Sequence, residues 1–327
     1  MKQLKLALLL LFSSFSITMT AQTMDDVIAK FNEGAEDVNK GDFVTAIEHF
    51  NQLIEMSETV GEEANELKSK SQDQLPLLHY QVAIGFMKQK DYESAIPYLI
   101  KTVELSEQYG NNDEYRQKAM RYLPQLLTGV GTQKFKTGDL QAAGTMFDDA
   151  INYAPEYPKA YLGKGLVLKA EYAEEEMIST LTKAIELGKA KNDTETVEDA
   201  QSALGSYFTE MGNIELEDMD PAAEDFSWAI DAFENALKYD PDNMDANWKL
   251  AMIYNRMVEY DKAIDYALAA LESAEDEVKI AAINLELGNG YFGTAEYDKA
   301  CEAYNNAMVP PIEDRAIARK ERVPGCE

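Results

Sequence analysis

The stretch LELGNGYFGTAEYDKA, residues 285–300, decides the fold of this chain. Its glycines Gly288, Gly290 and Gly293 have the spacing G-x-G-x-x-G, which binds a pyrophosphate in dinucleotide-binding proteins. That motif functions where it follows a β-strand and opens a helix. Here the preceding residues, 277–286, carry Ala, Ile and Leu at helical spacing, so the glycines fall inside a helix. We therefore predict that these glycines permit close helix packing and bind no cofactor.

The same stretch repeats an earlier one. Residues 248–263, WKLAMIYNRMVEYDKA, end in the same five residues, at a shift of 37 from Ala263 to Ala300. Ala251 stands where the later copy has Gly288, as expected if the position needs a small side chain. A second spacing also recurs, with Ala143, Phe147, Ala150 and Pro155 matched by Ala229, Phe233, Ala236 and Pro241. The chain is therefore built of internal repeats.

These repeats resemble the tetratricopeptide repeat, a helix–turn–helix unit of about 34 residues with the pattern W-x₂-L-G-x₂-Y…A-x₃-F…P. The last copy matches the pattern at Leu287, Gly288, Tyr291, Ala300, Tyr304 and Ala307. The resemblance implies an all-α fold, a right-handed α-solenoid of about seven helix-turn-helix units, some with extended helices. We place the solenoid at residues 22–311 and expect a capping helix or tail at 312–327. The alternative for this tail, which has a local positive balance, is a basic docking peptide. The units are predicted to start near residues 27, 76, 124, 158, 198, 244 and 281.

Three inserts interrupt the regular spacing. Two of them run into a Leu-Pro pair, at Pro76 and Pro124, and are predicted to be helical extensions that the proline either kinks or restarts. The third, residues 213–221, is acidic and is expected to be an exposed loop. The alternative for this third insert is a contact loop on one face of the array.

The first residues have the pattern of a secretory signal peptide. Lys2 and Lys5 precede a short apolar run at residues 6–12, and small residues up to Ala21 follow. We therefore expect residues 1–21 to be a signal peptide and the mature chain to be exported, soluble, and periplasmic or extracellular. No Cys lies near the cleavage point, which argues against a lipoprotein, and no later segment has the roughly 20 apolar residues of a membrane span.

The net charge limits the partners. The sequence has 59 acidic residues and 30 Lys and Arg, for a formal charge of −29. Such a polyanion repels phosphate backbones, which argues against nucleic-acid binding. It favours either a well-solvated surface or a basic partner. In an oxidising compartment Cys301 and Cys326 can pair, or they can remain free, and the sequence leaves both open.

The sequence offers no catalytic constellation. Its two histidines, His49 and His79, lie in different repeats without Cys or a second His at ligand spacing. No nucleophile elbow of the form G-x-S-x-G appears. No phosphate-binding loop appears either, since Gly163-Lys-Gly165 continues without the required Ser or Thr. We therefore predict no metal, no cofactor and no enzymatic activity.

The resemblance implies a concave groove lined by the first helix of each unit. The corresponding positions are Tyr80, Ile84 and Met87 in the second unit, Leu162, Leu166 and Lys169 in the fourth, Trp248, Met252, Asn255 and Arg256 in the sixth, and Leu285 and Asn289 in the last. Aromatic, Met and Arg side chains suit a protein or peptide segment. The alternative for each residue is packing against a neighbouring helix.

Some members of the family grip a C-terminal carboxylate with a Lys/Asn/Arg clamp. The corresponding positions here include Phe31, Ala35 and Gln81, so that clamp is absent. The sequence therefore predicts an exported, non-catalytic scaffold for protein–protein interaction through its groove and loops. The alternative is a structural subunit of a cell-envelope assembly or secretion complex.

Overall fold

The structure, a computed structural model, describes residues 22–110, 113–218 and 225–326. The expected signal peptide, residues 1–21, lies outside them. The described residues form α-helices and one 3₁₀ turn at Glu62–Ala64, without a β-strand. The helices are α1 Met24–Lys40, α2 Phe43–Val60, α3 Asn65–Lys88, α4 Tyr92–Tyr109, α5 Asp113–Lys136, α6 Leu140–Tyr153, α7 Pro158–Ala170, α8 Glu174–Lys191, α9 Thr194–Asp218, α10 Ser227–Tyr239, α11 Met244–Arg256, α12 Tyr260–Glu272, α13 Glu277–Gly293, α14 Tyr297–Asn306 and α15 Glu313–Lys320.

The chain divides into two compact units, Met1–Leu126 and Leu127–Glu327. In the first unit α1 packs on α2 and α3 packs on α4, while α2 also contacts α3. In the second unit the pairs α7–α8, α9–α10, α11–α12 and α13–α14 stack in the same manner, each on the next. The predicted all-α class, with stacked helix-turn-helix units, is confirmed. The pairs begin at residues 24, 65, 113, 158, 194, 244 and 277.

The turn inside a helix pair has a recurring backbone conformation. In six of the seven pairs the residue two positions before the second helix has a positive φ, whether it is Gly41 at 78° or Val258 at 63°. In three pairs the next residue is an N-cap aspartate, and the Asp42 side chain, for example, accepts a hydrogen bond from the backbone N–H of Thr45. The aspartates Asp42, Asp91 and Asp139 are therefore helix-start signals, two of them directly after a glycine.

The glycines of the G-x-G-x-x-G motif lie inside α13 and contact side chains. A Cβ added to Gly290 would lie 2.7 Å from Cγ1 of Ile264, and one added to Gly293 would lie 2.3 Å from the ring of Tyr260. Gly288 is equally close to Tyr304. The prediction that these glycines allow close packing is confirmed.

The inserts are helical. Pro76 lies inside α3 and Pro124 inside α5, so the two extensions continue through the prolines. The loop predicted for residues 213–221 is wrong where it is described, because α9 continues to Asp218. Leu216 packs against the buried cluster that contains Phe226 and Phe233, which gives this stretch an apolar face to bury. Residues 219–221 lie outside the described residues.

The C-terminal segment folds back on the last helix pair. Ile312, Ala316 and Val323 are buried in a cluster that also contains Tyr304. Cys301 and Cys326 form a disulfide with their Cα atoms 5.7 Å apart. Helix α15 is therefore held against α13 and α14 by apolar burial and by a covalent bond beyond its end.

Candidate functional site

A pocket of about 430 Å³ opens near the C-terminal end of the second unit. The side chains that line it come from α11, α13 and α15 and from the starts or ends of neighbouring segments. They are Met252, Asn255, Arg256, Tyr260, Glu286, Asn289, Phe292, Tyr304, Arg315, Arg319 and Arg322. A cavity of this size lies within the range of ligand-binding clefts.

Four residues predicted from the sequence meet in this pocket. Met252, Asn255 and Arg256 come from α11, and Asn289 comes from α13, the first helix of the following pair. Consecutive first helices lie side by side, as the contact between α11 and α13 shows. The repeat geometry therefore places these side chains on one surface.

The floor of the pocket is a hydrogen-bonded network around Glu286, which is only 8% exposed. Oε2 of Glu286 accepts hydrogen bonds from Nδ2 of Asn255 and from Nδ2 of Asn289, each at 3.0 Å. Nδ2 of Asn255 also donates to the backbone oxygen of Glu286 at 2.8 Å. The Tyr304 hydroxyl donates to Oδ1 of Asn289 at 3.0 Å. Both asparagine side chains are thereby held in fixed orientations.

The Tyr304 hydroxyl remains a donor at any ordinary pH. Burial raises the pKa of Tyr304 to about 12, and the nearby charges of Arg319 and Arg322 oppose this shift only in part. Because Tyr304 stays protonated, Asn289 keeps its oxygen toward the tyrosine and its NH₂ toward Glu286. One N–H of Asn289 is left over after these contacts.

The remaining wall is rich in arginine. The whole chain has six arginines, and four of them, Arg256, Arg315, Arg319 and Arg322, line this one pocket. None of the four forms an ion pair within the described residues, whereas Arg116 pairs with Glu107 at 2.9 Å. All four are exposed at the surface. Their guanidinium groups are therefore free to contact an anion.

The three arginines of the C-terminal segment were not predicted from the sequence as site residues. Arg315, Arg319 and Arg322 have the spacing i, i+4, i+7, which places side chains on one side of a helix. That spacing is a visible signal in so acidic a chain. The direction in which the helix presents them depends on how α15 folds back, which the repeat pattern does not encode. Glu286, Tyr260 and Phe292 were missed because they occupy ordinary repeat positions.

The predicted groove residues of α7 make contacts within the fold. Leu162 and Leu166 pack against the buried cluster around Leu181. Nζ of Lys169 donates to Oγ of Ser206 at 2.6 Å, and burial lowers the pKa of Lys169. For these three residues the structure shows packing between neighbouring helices, and a role in binding stays a prediction.

Trp248 and Leu285 also pack internally. Leu285 is 1% exposed, so its assignment to the groove surface is wrong, because α13 turns this side toward the core cluster of the last pair. Trp248 is half-buried and packs against two core clusters. Nζ of Lys249 lies 4.9 Å from the centre of its ring.

The predicted residues of α3 belong to the first unit. Tyr80, Ile84 and Met87 are half-buried, and the rings of Tyr80 and Tyr115 have centroids 5.7 Å apart. Ile84 lines a smaller pocket of about 360 Å³ near the start of α2. The other two residues do not line it.

Residues 22–110, 113–218 and 225–326 contain no group of three or more His, Cys, Asp or Glu side chains placed to hold a metal ion. Within the same ranges, no helix combines the length and the apolar character that crossing a membrane requires. His49 instead contacts Asp37, with Nδ1 2.8 Å from Oδ2.

Comparisons with known proteins find the repeat by sequence. Residues 222–278 match the family described as "Tetratricopeptide repeat". The TPR repeat-containing protein YpiA of Bacillus subtilis (strain 168) is 22% identical over 284 residues, which cover 87% of this chain and 57% of that protein. The Hsp70-Hsp90 organising protein of Plasmodium falciparum (isolate 3D7) is 27% identical over 88 residues, or 26% of this chain and 16% of that protein. The chain thus spans little more than half the length of the first and a sixth of the second.

A solved structure of the TPR2AB-domain:pHSP90-complex of yeast Sti1 is similar at 15% identity and a TM-score of 0.36. The match covers 91% of this chain and 95% of that one.

Proposed function

This chain is a tetratricopeptide-repeat protein, and on that premise we propose that it is an exported, non-catalytic scaffold that binds a segment of another protein. The binding surface is the side of the second unit formed by α11 and α13, together with the pocket at its C-terminal end. Its mechanism is presentation of a preformed surface without chemical turnover.

One observation carries this proposal. Met252, Asn255 and Arg256 from one repeat meet Asn289 from the next in a pocket that no side chain of the described residues fills. The network through Glu286 and Tyr304 fixes the asparagines before any ligand arrives. Preorganised polar groups beside Met and aromatic side chains lower the entropy that association costs.

Export is part of the proposal. The basic and then apolar start of the sequence, residues 1–21, supports it. The disulfide between Cys301 and Cys326 is consistent with an oxidising compartment, since such bonds are rare where thiols are kept reduced. The net charge of −29 favours a basic partner elsewhere on the surface, and this also stays a prediction.

The test is an affinity capture of the tagged full-length chain, exported by its native cell and gently crosslinked, followed by mass spectrometry. A double variant, Met252→Ala with Phe292→Ala, removes apolar wall from the pocket without touching the buried core. The matched control, Leu268→Ala with Val278→Ala, removes exposed apolar side chains of the same unit that do not line the pocket. Trp248→Ala is unsuitable, because this side chain packs against two core clusters.

A stoichiometric partner that is captured by the wild type and the control, and lost from the pocket variant, supports the scaffold function. A large envelope complex that keeps all three proteins favours the structural subunit instead. Recovery of no partner from any of the crosslinked samples contradicts both.

A further inference from the structure

The arginines of the pocket differ from most lysines of the described residues. Elsewhere in the described part of the structure, lysines pair repeatedly with carboxylates, as Lys279 does with Asp245 at 2.9 Å and Lys164 with Asp148 at 2.8 Å. Within residues 22–110, 113–218 and 225–326 the four pocket arginines make no such pair, although the sequence is strongly acidic. Four arginines against the single carboxylate of Glu286 leave the pocket with three excess positive charges.

Helix dipoles account for only part of this arrangement. Arg256 and Arg319 lie in the last turns of α11 and α15, where a cation interacts favourably with the helix dipole. Arg315 is not in a last turn, and Arg322 lies beyond the end of α15. The dipole also gives no reason for two helices to direct their arginines into the same cavity.

The spacing of the arginines indicates more than one anionic group on the ligand. Arg315 and Arg319 are separated by about 6 Å along the helix axis, at 1.5 Å per residue. One carboxylate is matched by one guanidinium fork. In an extended peptide, side chains two residues apart lie on the same side and are separated by about 7 Å. Two acidic side chains at i and i+2 therefore match this pair of arginines.

We propose that the pocket binds an acidic segment of the partner protein, in extended conformation, through at least two carboxylates spaced i, i+2. Arg315 and Arg319 each take one carboxylate, Arg256 and Arg322 add further donors, and the free N–H of Asn289 contacts the backbone. Met252 and Phe292 contact apolar residues between the acidic ones. This inference rests on the proposed scaffold function and adds the chemistry of its partner.

The acidic net charge of the chain does not prevent such binding. At physiological ionic strength the Debye length is about 8 Å, so distant carboxylates are screened and the charges nearest the ligand decide the affinity. Glu286 is buried, its Oε2 is turned toward Asn255 and Asn289, and its single negative charge is outnumbered by the four arginines.

The experiment uses the full-length, oxidised protein on a peptide array. The array holds ten-residue peptides in which two positions, one to four residues apart, are varied among Glu, Gln and Lys on a background of Leu, Phe and Ser. The best peptide is then measured by fluorescence anisotropy. The pocket variant is Arg315→Gln with Arg319→Gln. The matched control is Arg116→Gln with Arg121→Gln, which makes the same charge change at the two arginines outside the pocket.

We expect the wild type and the control to select peptides with Glu at i and i+2. We expect the pocket variant to bind the best of them about tenfold more weakly or worse, equivalent to about 1.4 kcal/mol. Equal binding of Glu, Gln and Lys peptides by the wild type contradicts the inference, and so does unchanged affinity in the pocket variant. Complete displacement of the peptide by millimolar inorganic phosphate at constant ionic strength would assign the pocket to small anions and also contradict the inference.

Failure of this inference is distinguishable from failure of the scaffold function. A natural partner that is lost from the Met252→Ala and Phe292→Ala variant but kept by the Arg315→Gln and Arg319→Gln variant leaves the scaffold in place and removes the acidic segment. Selective binding of acidic peptides without any captured partner supports the acidic specificity of the pocket and contradicts the scaffold function.

Discussion

Gly288 in α13 lies directly beneath the ring of Tyr304 in α14, so that a Cβ on Gly288 would come within 2.5 Å of Cε1 of the tyrosine. The ring is 1% exposed, and its hydroxyl reaches Asn289 in the pocket. The same relation, sixteen residues apart, joins Gly34 to Phe50 and Gly131 to Phe147. The position that resembles a cofactor motif is therefore the contact that brings the two helices of a repeat together.

We predict that Gly288→Ala destabilises the protein by about 1–3 kcal/mol, because the added methyl group overpacks a buried ring that has no room to move. The measurement is the urea midpoint of unfolding, followed by circular dichroism. Gly129→Ala is the control, since this glycine lies in α5, is exposed and has nothing within 4 Å of its added Cβ. It should be neutral or raise stability by up to about 1 kcal/mol through helix propensity. A loss of stability in the control, or none in Gly288→Ala, contradicts the packing role.

The sequence was sufficient to predict the repeat because each contact of this kind is local. Gly288 and Tyr304 lie in one helix pair, and the pattern that joins them recurs along the chain. The helical extensions through Pro76 and Pro124 were also predictable from local sequence, because each lies within a single helix. The continuation of α9 to Asp218 was missed because Leu216 packs against a cluster whose residues, from Phe226 onward, all lie beyond the insert.

The site was only half predictable. Met252, Asn255, Arg256 and Asn289 follow from the repeat register, since first helices share one surface. The arginines of α15 do not, because their placement depends on the burial of Ala316 against the last pair, outside any repeat. The burial of Glu286 likewise follows from tertiary contacts rather than from its position in a helix.

Val258 is predicted to be a strained position whose replacement stabilises the protein. It has a φ of 63° in the turn before α12 and is 65% exposed, so its side chain is β-branched in a left-handed conformation and gains little from packing. Val258→Gly should raise the unfolding free energy by about 1 kcal/mol, the relief of left-handed strain exceeding the added flexibility of the unfolded chain. Urea unfolding measures this change.

The reverse substitution provides the control for Val258. Gly138 occupies the equivalent turn before α6, with a φ of 83° and open space around its Cβ position. Gly138→Val should lower stability by about 1–2 kcal/mol through backbone strain alone. If Val258→Gly and Gly138→Val both leave the free energy of unfolding nearly unchanged, the prediction of backbone strain in this turn is contradicted.

The disulfide is predicted to hold α15, and with it three arginines of the pocket. Replacing Cys301 and Cys326 by Ser removes a cross-link between residues 25 apart. The chain-entropy relation gives a loss of about 3.5 kcal/mol for a loop of that size. The measurement is the urea midpoint with and without dithiothreitol, which should lower the wild-type midpoint and leave the double variant unchanged. A reductant-insensitive wild type, or two titratable thiols in the native oxidised protein, would contradict the prediction.

His79 is predicted to make stability depend on pH between about 6.5 and 4. Burial, with a smaller contribution from the charge of Lys101, lowers the pKa of His79 to about 4 from its usual 6.5. Its ring lies 5.8 Å from that of Tyr98 between centroids, in a tilted arrangement. Within the part of the chain that the structure describes, Nδ1 has no hydrogen-bond partner, so the folded state holds the neutral form. In this window the unfolded chain binds more protons than the folded one, and the free energy of unfolding therefore falls as the pH falls.

The full effect of His79, reached below pH 4, is at most about 3.4 kcal/mol, from a shift of roughly 2.5 pH units at about 1.36 kcal/mol each. His79→Phe keeps an aromatic ring against Tyr98 and should flatten the dependence between pH 6.5 and 4, leaving the steeper loss at lower pH that protonation of carboxylates causes. The unfolding free energies of the wild type and of His79→Phe are measured by urea unfolding at half-unit steps of pH. Once the pH-independent difference that the new side chain causes is subtracted, the two curves should converge toward neutral pH. An NMR titration of the His79 ring supplies the independent check, because a midpoint near 6.5 in the folded protein would remove the physical basis for the slope.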